Sequence, residues 1–312
     1  MIFVSIAAYR DPQLVPTVRD CIAKARHPDQ LRFCMCWQHD VDERLPDWFS
    51  GDEFTILDIP FRESRGLCWA RAAVMDLWDG EDWYLQLDSH HRFAPGWDAS
   101  LLSQAAATGS AKPVLTTYGA PYSPDGGDGT PTRPTQIGFQ GFAAEGDILG
   151  RSSWMPEGSA RPRRAWFASG HFLFARGLFV EDVPCDPNMY FLGEETLLAV
   201  RAFTHGYDLF HPGVPILSHE YTRAGRRRHW DDHVSTNGVA VPWHERDAVG
   251  RARIRRMLEE PSVGLLGLGS ERTLDDYERY AGIDLRRRRI RAHTRRGLEP
   301  PAPAAVDDWI QL

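Results

Sequence analysis

"YLQLDSHHRF", residues 84–93, is an apolar run that stops on a carboxylate, a hydroxyl and two imidazoles. Tyr84, Leu85 and Leu87 read as the end of a buried strand. Side chains two residues apart on a strand point the same way, so Asp88 and His90 converge while Ser89 faces away. A hard carboxylate beside an imidazole suits Mn²⁺, or Mg²⁺ less comfortably, with phosphate oxygens completing the shell. The plainer reading is a polar strand end, because D-x-H also arises by chance.

Upstream of this strand the chain alternates. "IFVSIAAY" (2–9), "LRFCMCWQ" (31–38) and "FTILDIP" (54–60) are β-rich runs, and "WYLQLD" (83–88) is the fourth. Asp11-Pro12 can start a helix that runs to about Ala25, and Gly66–Leu77 has helical composition. Strands separated by helix-length segments imply a parallel, doubly wound sheet. Ligands of such sheets sit beyond the carboxyl ends of the strands, where Asp88 lies.

Downstream, "GAPYSPDGGDGTPTRPT" (119–135) reads as a Gly/Pro-rich loop, the kind that serves as a binding loop or lid. "AWFASGHFLFARGLF" (165–179) is apolar around Gly170. In "YFLGEETLLAVRAFTHGYDLFHP" (190–212), Leu197, Leu198, Val200 and Phe203 recur at helical spacing, and Gly206 ends the helix as a C′ glycine. Glu194 and Glu195 head that helix. The helix dipole accounts for one acid there; two adjacent acids also suggest that one faces a polar cleft. "VPILSHEY" (214–221) ends on His219, which would supply a third metal ligand from a distant part of the chain. After Trp243 the chain reads as mostly helical.

The 312 residues carry a net charge of −7, which argues against a general nucleic-acid binder. "RRRRIRAHTRR" (286–296) reads as a solvated helix face or tail, or as a contact for an acidic partner. No apolar run reaches the ~20 residues that cross a bilayer, and "MIFVSIAAYR" reads as a first strand rather than a leader. The five cysteines, Cys34-Met35-Cys36 among them, read as buried free thiols of a cytoplasmic protein. Trp230 and Trp243 are the tryptophans expected nearest an acceptor, with His229 and His233 as polar residues of the same lid-like stretch.

"LQLDSHHRFAPGWD" resembles the metal-binding strand end of GT-A fold nucleotide-sugar glycosyltransferases, whose D-x-D motif takes the form D-S-H in the polypeptide GalNAc-transferases. The wider pattern is similar to glycosyltransferase family 60, polypeptide hydroxyproline GlcNAc-transferases. It comprises "VSIAAYRDPQL" (4–14), "RESRGLCWAR" (62–71), "ASGHFLFA" (168–175), residues 190–212, "HEYTR" (219–223) and "LGLGSERTLDDYERYAGID" (266–284). The resemblance implies a GT-A, Rossmann-like mixed α/β sheet flanked by helices. Residues 1–243 would form the catalytic domain, with a nucleotide half to about 90 and a sugar and acceptor half over 91–243; residues 244–312 would be a helical extension. It also implies a UDP-sugar donor, GlcNAc foremost, a hydroxyl acceptor on a protein, peptide or small molecule, and retention of configuration. Asp88, His90 and His219 would hold the divalent metal. Ala7, Tyr9 and Arg10 would contact uridine, Arg65 and Arg71 would lie beside the nucleotide, and Gly170 and His171 would wall the sugar. Glu194 or Glu195 would face the donor sugar. "S-G-H" at 169–171 departs from the family's "G-G-F". A nucleotide-sugar-binding module without turnover is the alternative, and a metallohydrolase ranks last.

Overall fold

The apolar runs are strands buried on both faces, and their side chains divide by a period of two. In β1 (Ile2–Tyr9), Phe3 and Ala7 enter one hydrophobic cluster, and Ile2, Val4, Ile6 and Ala8 enter a second on the opposite face. After α1 (Leu14–Lys24), β2 (Leu31–His39) does the same, with Cys34 and Cys36 on one side and Phe33, Met35 and Trp37 on the other. This continuous apolar composition belongs to a strand covered on both sides. All five cysteines are free thiols, and only Cys185 is not fully buried.

The computed structural model describes residues 1–223, 225–300 and 309–312. β3 (Phe54–Pro60), α2 (Leu67–Met75) and β4 (Trp83–Asp88) complete the alternating half as expected. Then come β5 (His91–Phe93), α3 (Trp97–Ala107), β6 (Pro113–Thr116), β7 (Ala120–Pro121) and the hairpin of β8 (Thr135–Phe142) and β9 (Ile148–Trp154). β10 (Arg163–Arg164), β11 (Phe172–Arg176), α4 (Phe179–Asp182), α5 (Glu194–Thr204), β12 (Asp208–His211), β13 (Leu217–His219), α6 (His229–Asp232) and α7 (Trp243–Glu259) follow. The chain ends with α8 (Leu274–Ala281), β14 (Ile283–Asp284), β15 (Arg289–Arg291), α9 (Ala292–Arg295) and β16 (Trp309–Gln311).

An eight-stranded sheet runs in the order β10-β12-β6-β11-β4-β1-β2-β3. β3, β2, β1 and β4 are parallel, and β11 runs antiparallel between β4 and β6, which makes the sheet mixed. A small sheet, β5-β13-β7, stands past the C-terminal ends of β1 and β4. It carries the chain that follows Asp88 up against the chain that ends at His219.

After Trp243 the helices α7, α8 and α9 are accompanied by a three-stranded sheet of β14, β15 and β16. The arginine run at 286–296 is only partly helical: a turn with Arg288 at φ 51° leads into β15, where Ile290 is buried between Arg289 and Arg291, and α9 follows. The alternation Arg-Ile-Arg has the period of a strand with one covered face. Ile254 and Leu258 of α7, Tyr277 of α8 and Ile290 all join the hydrophobic cluster that holds α5. Among the described residues no helix is long and apolar enough to cross a membrane.

Gly193 shows how closely α7 is docked. It caps the N-terminus of α5 at φ +79°, and an added Cβ would lie 1.9 Å from Ile254 Cδ1. Gly193→Ala therefore combines left-handed strain with overpacking, and should cost about 1–3 kcal/mol. Calorimetry should record a fall in Tm of roughly 2–4 °C per kcal/mol; an unchanged Tm would mean that Ile254 moves aside freely.

Candidate functional site

β4 ends at Asp88, and the chain turns through Ser89 and His90 into β5, which pairs antiparallel with β13 so that His219 lies opposite His91. One ligand atom each of Asp88, His90 and His219 lie within 4.8 Å of one another. Asp88 Oδ2 is 3.6 Å from His90 Nε2 and 3.5 Å from His219 Nε2. Neither ring nitrogen of buried His219 has a hydrogen-bond partner among the described residues. An unpartnered buried imidazole costs free energy that a bound cation would relieve. Burial holds the His219 pKa well below its ordinary value, so the ring is neutral and its lone pair can serve as a ligand. One carboxylate with two imidazoles is a donor set that fits a divalent cation.

A second triad, His91, His171 and His219, also lies within ligand distance. Its chemistry is poorer. His91 Nδ1 is 2.9 Å from Ser218 O and Nε2 is 3.0 Å from His171 O, so both nitrogens already face carbonyls.

Beneath the first triad lies Arg71, 1% exposed. Its Nη2 donates to Asp88 Oδ1 at 2.8 Å and its Nη1 to Glu194 Oε1 at 2.6 Å. Asp88 thus spends one oxygen on the scaffold and turns the other toward the imidazoles. Burial would raise the Asp88 pKa, but His219 and Arg71 together hold it well below the usual carboxylate range. Glu195 lies alongside, its Oε1 accepting the Gly170 N–H at 2.7 Å and its Oε2 the Tyr118 hydroxyl. Burial, then the charge of Glu194, push Glu195 up to about 7 against these two donors. Gly170 must be glycine, because a Cβ there would lie 2.3 Å from Glu194 Oε2 and 2.9 Å from Arg71 Nη1.

A cleft of about 170 Å³ opens over Asp88, His90 and His219. Ala7, Tyr9 and Leu67 form its floor side, and Phe191, Tyr221, Arg223, His229 and Trp230 its far side. Arg226, Arg227 and Arg228 also line it, so with Arg223 they make a basic roof. Asp232 ties this roof to the body, because its Oδ2 accepts from Arg10 Nη1 at 2.9 Å and from Tyr9 Oη at 3.1 Å.

Residues 1–50 and 42–287 match the family Glycosyltransferase (GlcNAc). The chain belongs to this family. No curated protein matches it. Among solved structures, one of GalNAc-T7 with UDP, GalNAc and Mn²⁺ is similar over 89% of this chain, at 14% identity and a TM-score of 0.53. That likeness is one of fold, and it shows the GT-A architecture. This chain spans about half (54%) of the GalNAc-T7 chain. Residues 1–349 of TarS from S. aureus are similar at 10% identity over 83% of this chain and 73% of that one, with a TM-score of 0.45.

Of the residues singled out from the sequence of this glycosyltransferase-family chain, Ala7, Tyr9, Asp88, His90 and His219 line one cleft. Arg71, Glu194, Glu195, Gly170 and His171 lie behind that wall instead, joined to it through hydrogen bonds and the stacking of His171 on His219, 4.0 Å between ring centroids. Two residues are elsewhere. Arg10 lines a neighbouring groove, held by Asp40 and Asp232, and Arg65 lies over the Trp69 ring at 5.6 Å. Arg71 is a buried bridge between Asp88, which lines the cleft, and buried Glu194. The loop at 119–135 contributes no side chain to the cleft; Thr130 instead accepts from Lys24 Nζ at 2.8 Å. Trp230 is at the cleft, and Trp243 starts α7 away from it. The roof arginines escaped the sequence reading, although three in a row stand seven residues past His219. Asp11 escaped it as well, taken only for a helix start; α1 itself begins at Leu14.

Removing Arg71 leaves Asp88 and Glu194 buried without their counter-charge, so Arg71→Met should destabilise by about 3–5 kcal/mol. Urea unfolding checks this, and a loss below about 1 kcal/mol would contradict it. For Glu195, the folded protein keeps a proton between pH 4.5 and about 7 that the unfolded chain releases. The stability this carboxyl contributes is complete below 4.5 and disappears as pH climbs through about 7. Glu195→Gln should therefore gain on the native chain by about 1–3 kcal/mol between pH 5 and pH 8. A stability difference that does not change with pH would refute the assignment.

Proposed function

We propose that this chain transfers a sugar from a UDP-sugar, GlcNAc being the foremost donor, to a hydroxyl acceptor on a protein, peptide or small molecule, with retention of configuration. The observation that carries this reading is the convergence of Asp88, His90 and His219 at the foot of a cleft roofed by arginines. Family membership supports sugar transfer. The GalNAc-T7 structure, which holds UDP, GalNAc and Mn²⁺, supports a nucleotide donor and a divalent metal. Residues 1–243 would be the catalytic unit and 244–312 an extension, of which Ile254, Leu258, Tyr277 and Ile290 pack into the cluster that holds α5.

Arg71 stands between Asp88 and Glu194, one positive charge against two negative ones. A divalent ion bound by Asp88, His90 and His219 would supply Lewis-acid stabilisation of the departing diphosphate. The protein's own part is positional and electrostatic. Arg71 fixes the rotamer of Asp88. Arg223, 5.3 Å from the Trp230 ring centroid, and the arginines beside it face the cleft where negative charge would grow. Glu194, paired with Arg71, would steady positive charge on the sugar. Glu195, behind the cleft wall, would act on an acceptor only through its hydrogen-bond partners, the Tyr118 hydroxyl and the Gly170 N–H.

The test is UDP release from a panel of nucleotide sugars, with Mn²⁺ and with chelator, for the native chain, Asp88→Ala and His219→Ala. UDP-GlcNAc should be turned over fastest, and only with metal. Asp88→Ala should lose turnover by about 10²-fold or more, and His219→Ala should need about 10–100-fold more metal. Turnover that survives chelation would sink the metal assignment. Tight UDP-sugar binding with no turnover would favour the silent binding module.

A further inference from the structure

The turn that carries His90 is clamped onto the start of α1. Thr17 Oγ1 is 2.9 Å from Ser89 O and accepts the His91 N–H at 2.9 Å. Asp11, its side chain 3% exposed, completes the clamp. Asp11 Oδ1 accepts the Gln13 N–H at 2.8 Å. Its Oδ2 accepts from Ser89 Oγ at 2.7 Å, from Arg226 Nη1 at 3.2 Å, and lies 2.7 Å from His90 Nδ1.

We propose that Asp11 is a positioning residue that sets the tautomer of His90, keeping the ring proton on Nδ1 so that a bare Nε2 faces Asp88 and His219. An ionised carboxylate can only accept, so the nitrogen 2.7 Å from it must donate. In a neutral imidazole the other nitrogen then carries the lone pair, and Nε2 is the one beside Asp88 Oδ2. Arg226 also comes close to His90 Nδ1. With both as donors, they share Asp11 Oδ2 as acceptor. The opposite tautomer would set the Nδ1 lone pair against a carboxylate. Arg226 has a second acid, since its Nη2 pairs with Glu220 Oε2. The carboxylate–imidazole pairing is the arrangement that orients metal-bound histidines; the inference rests on the metal reading above only for what Nε2 would bind.

The test has two arms. Long-range ¹H–¹⁵N spectra of metal-free protein near pH 7.5, with His90 assigned by His90→Gln, report which ring nitrogen is protonated. Calorimetric titration with Mn²⁺ alone reports affinity. The native chain should show Nδ1–H. Asp11→Asn should move the proton toward Nε2 and weaken Mn²⁺ binding by about 10–100-fold, with partial recovery in Asp11→Glu. Nε2–H in the native chain would overturn the proposal, as would an Asp11→Asn protein with unchanged tautomer and affinity. If Asp11→Asn does not fold, the native spectrum still decides. A native chain showing Nδ1–H but binding no Mn²⁺ would uphold the role of Asp11 and defeat the metal reading instead.

Discussion

A single guanidinium organises the centre of this protein. Arg71, buried on α2, joins the end of β4 to the start of α5 by holding Asp88 with one nitrogen and Glu194 with another. An uncompensated buried charge is expensive, and a buried pair persists only when its geometry is good and its remaining valences are met. Here each partner constrains the others. Asp88 cannot turn Oδ2 away from the imidazoles without losing Arg71, and Gly170 must lack a side chain for the pair to close. The Glu194 carboxylate in turn raises the proton affinity of its neighbour Glu195. Fold and site are thus joined through one residue.

The roof is built on the opposite plan. Arg226, Arg227 and Arg228 pair with the buried acids Asp11, Glu220 and Asp232 and the exposed Asp231, and the roof's rings pack on each other, with Phe191 and Trp230 5.2 Å apart. Arg10 holds Asp232 at φ 44°, a conformation that non-glycine residues adopt only when their surroundings impose it. A segment fastened by a few ion pairs and stacked rings, over a floor of close-packed strands, is the less stable layer of the two.

The alternating half of the fold was legible because strands covered on both faces leave long apolar runs. Residues 2–9, 31–38, 54–60 and 83–88 each fell within a residue of the observed strands. The helix headed by Glu194 was legible from its 3.6-residue period. The arginine run at 286–296 was legible in part: it is largely solvated and holds α9, but the strand β15, where buried Ile290 alternates with Arg289 and Arg291, was hidden by the charge density around it. In the loop at 119–135, Gly and Pro announced irregular backbone but not the short strand β7, which pairs with β13 beside His219. The meeting of Asp88, His90 and His219 was expected from strand-end placement, and Trp230 and His229 from a lid-like stretch, whereas the roof arginines were not, since nothing local in "RRR" says what it covers.

The sequence alone determined the residue types at the ends of β4 and β13 and the period-two split that buries each strand. These depend on side chains a few positions apart, where backbone geometry leaves little freedom. Only the tertiary structure decided that Arg71 serves two carboxylates, that Arg10 and Arg65 turn away from the cleft, and that Asp11 reaches His90 across 79 positions. Those outcomes follow from electrostatic neutralisation in a low-dielectric interior, which depends on distances between remote segments and not on their order along the chain.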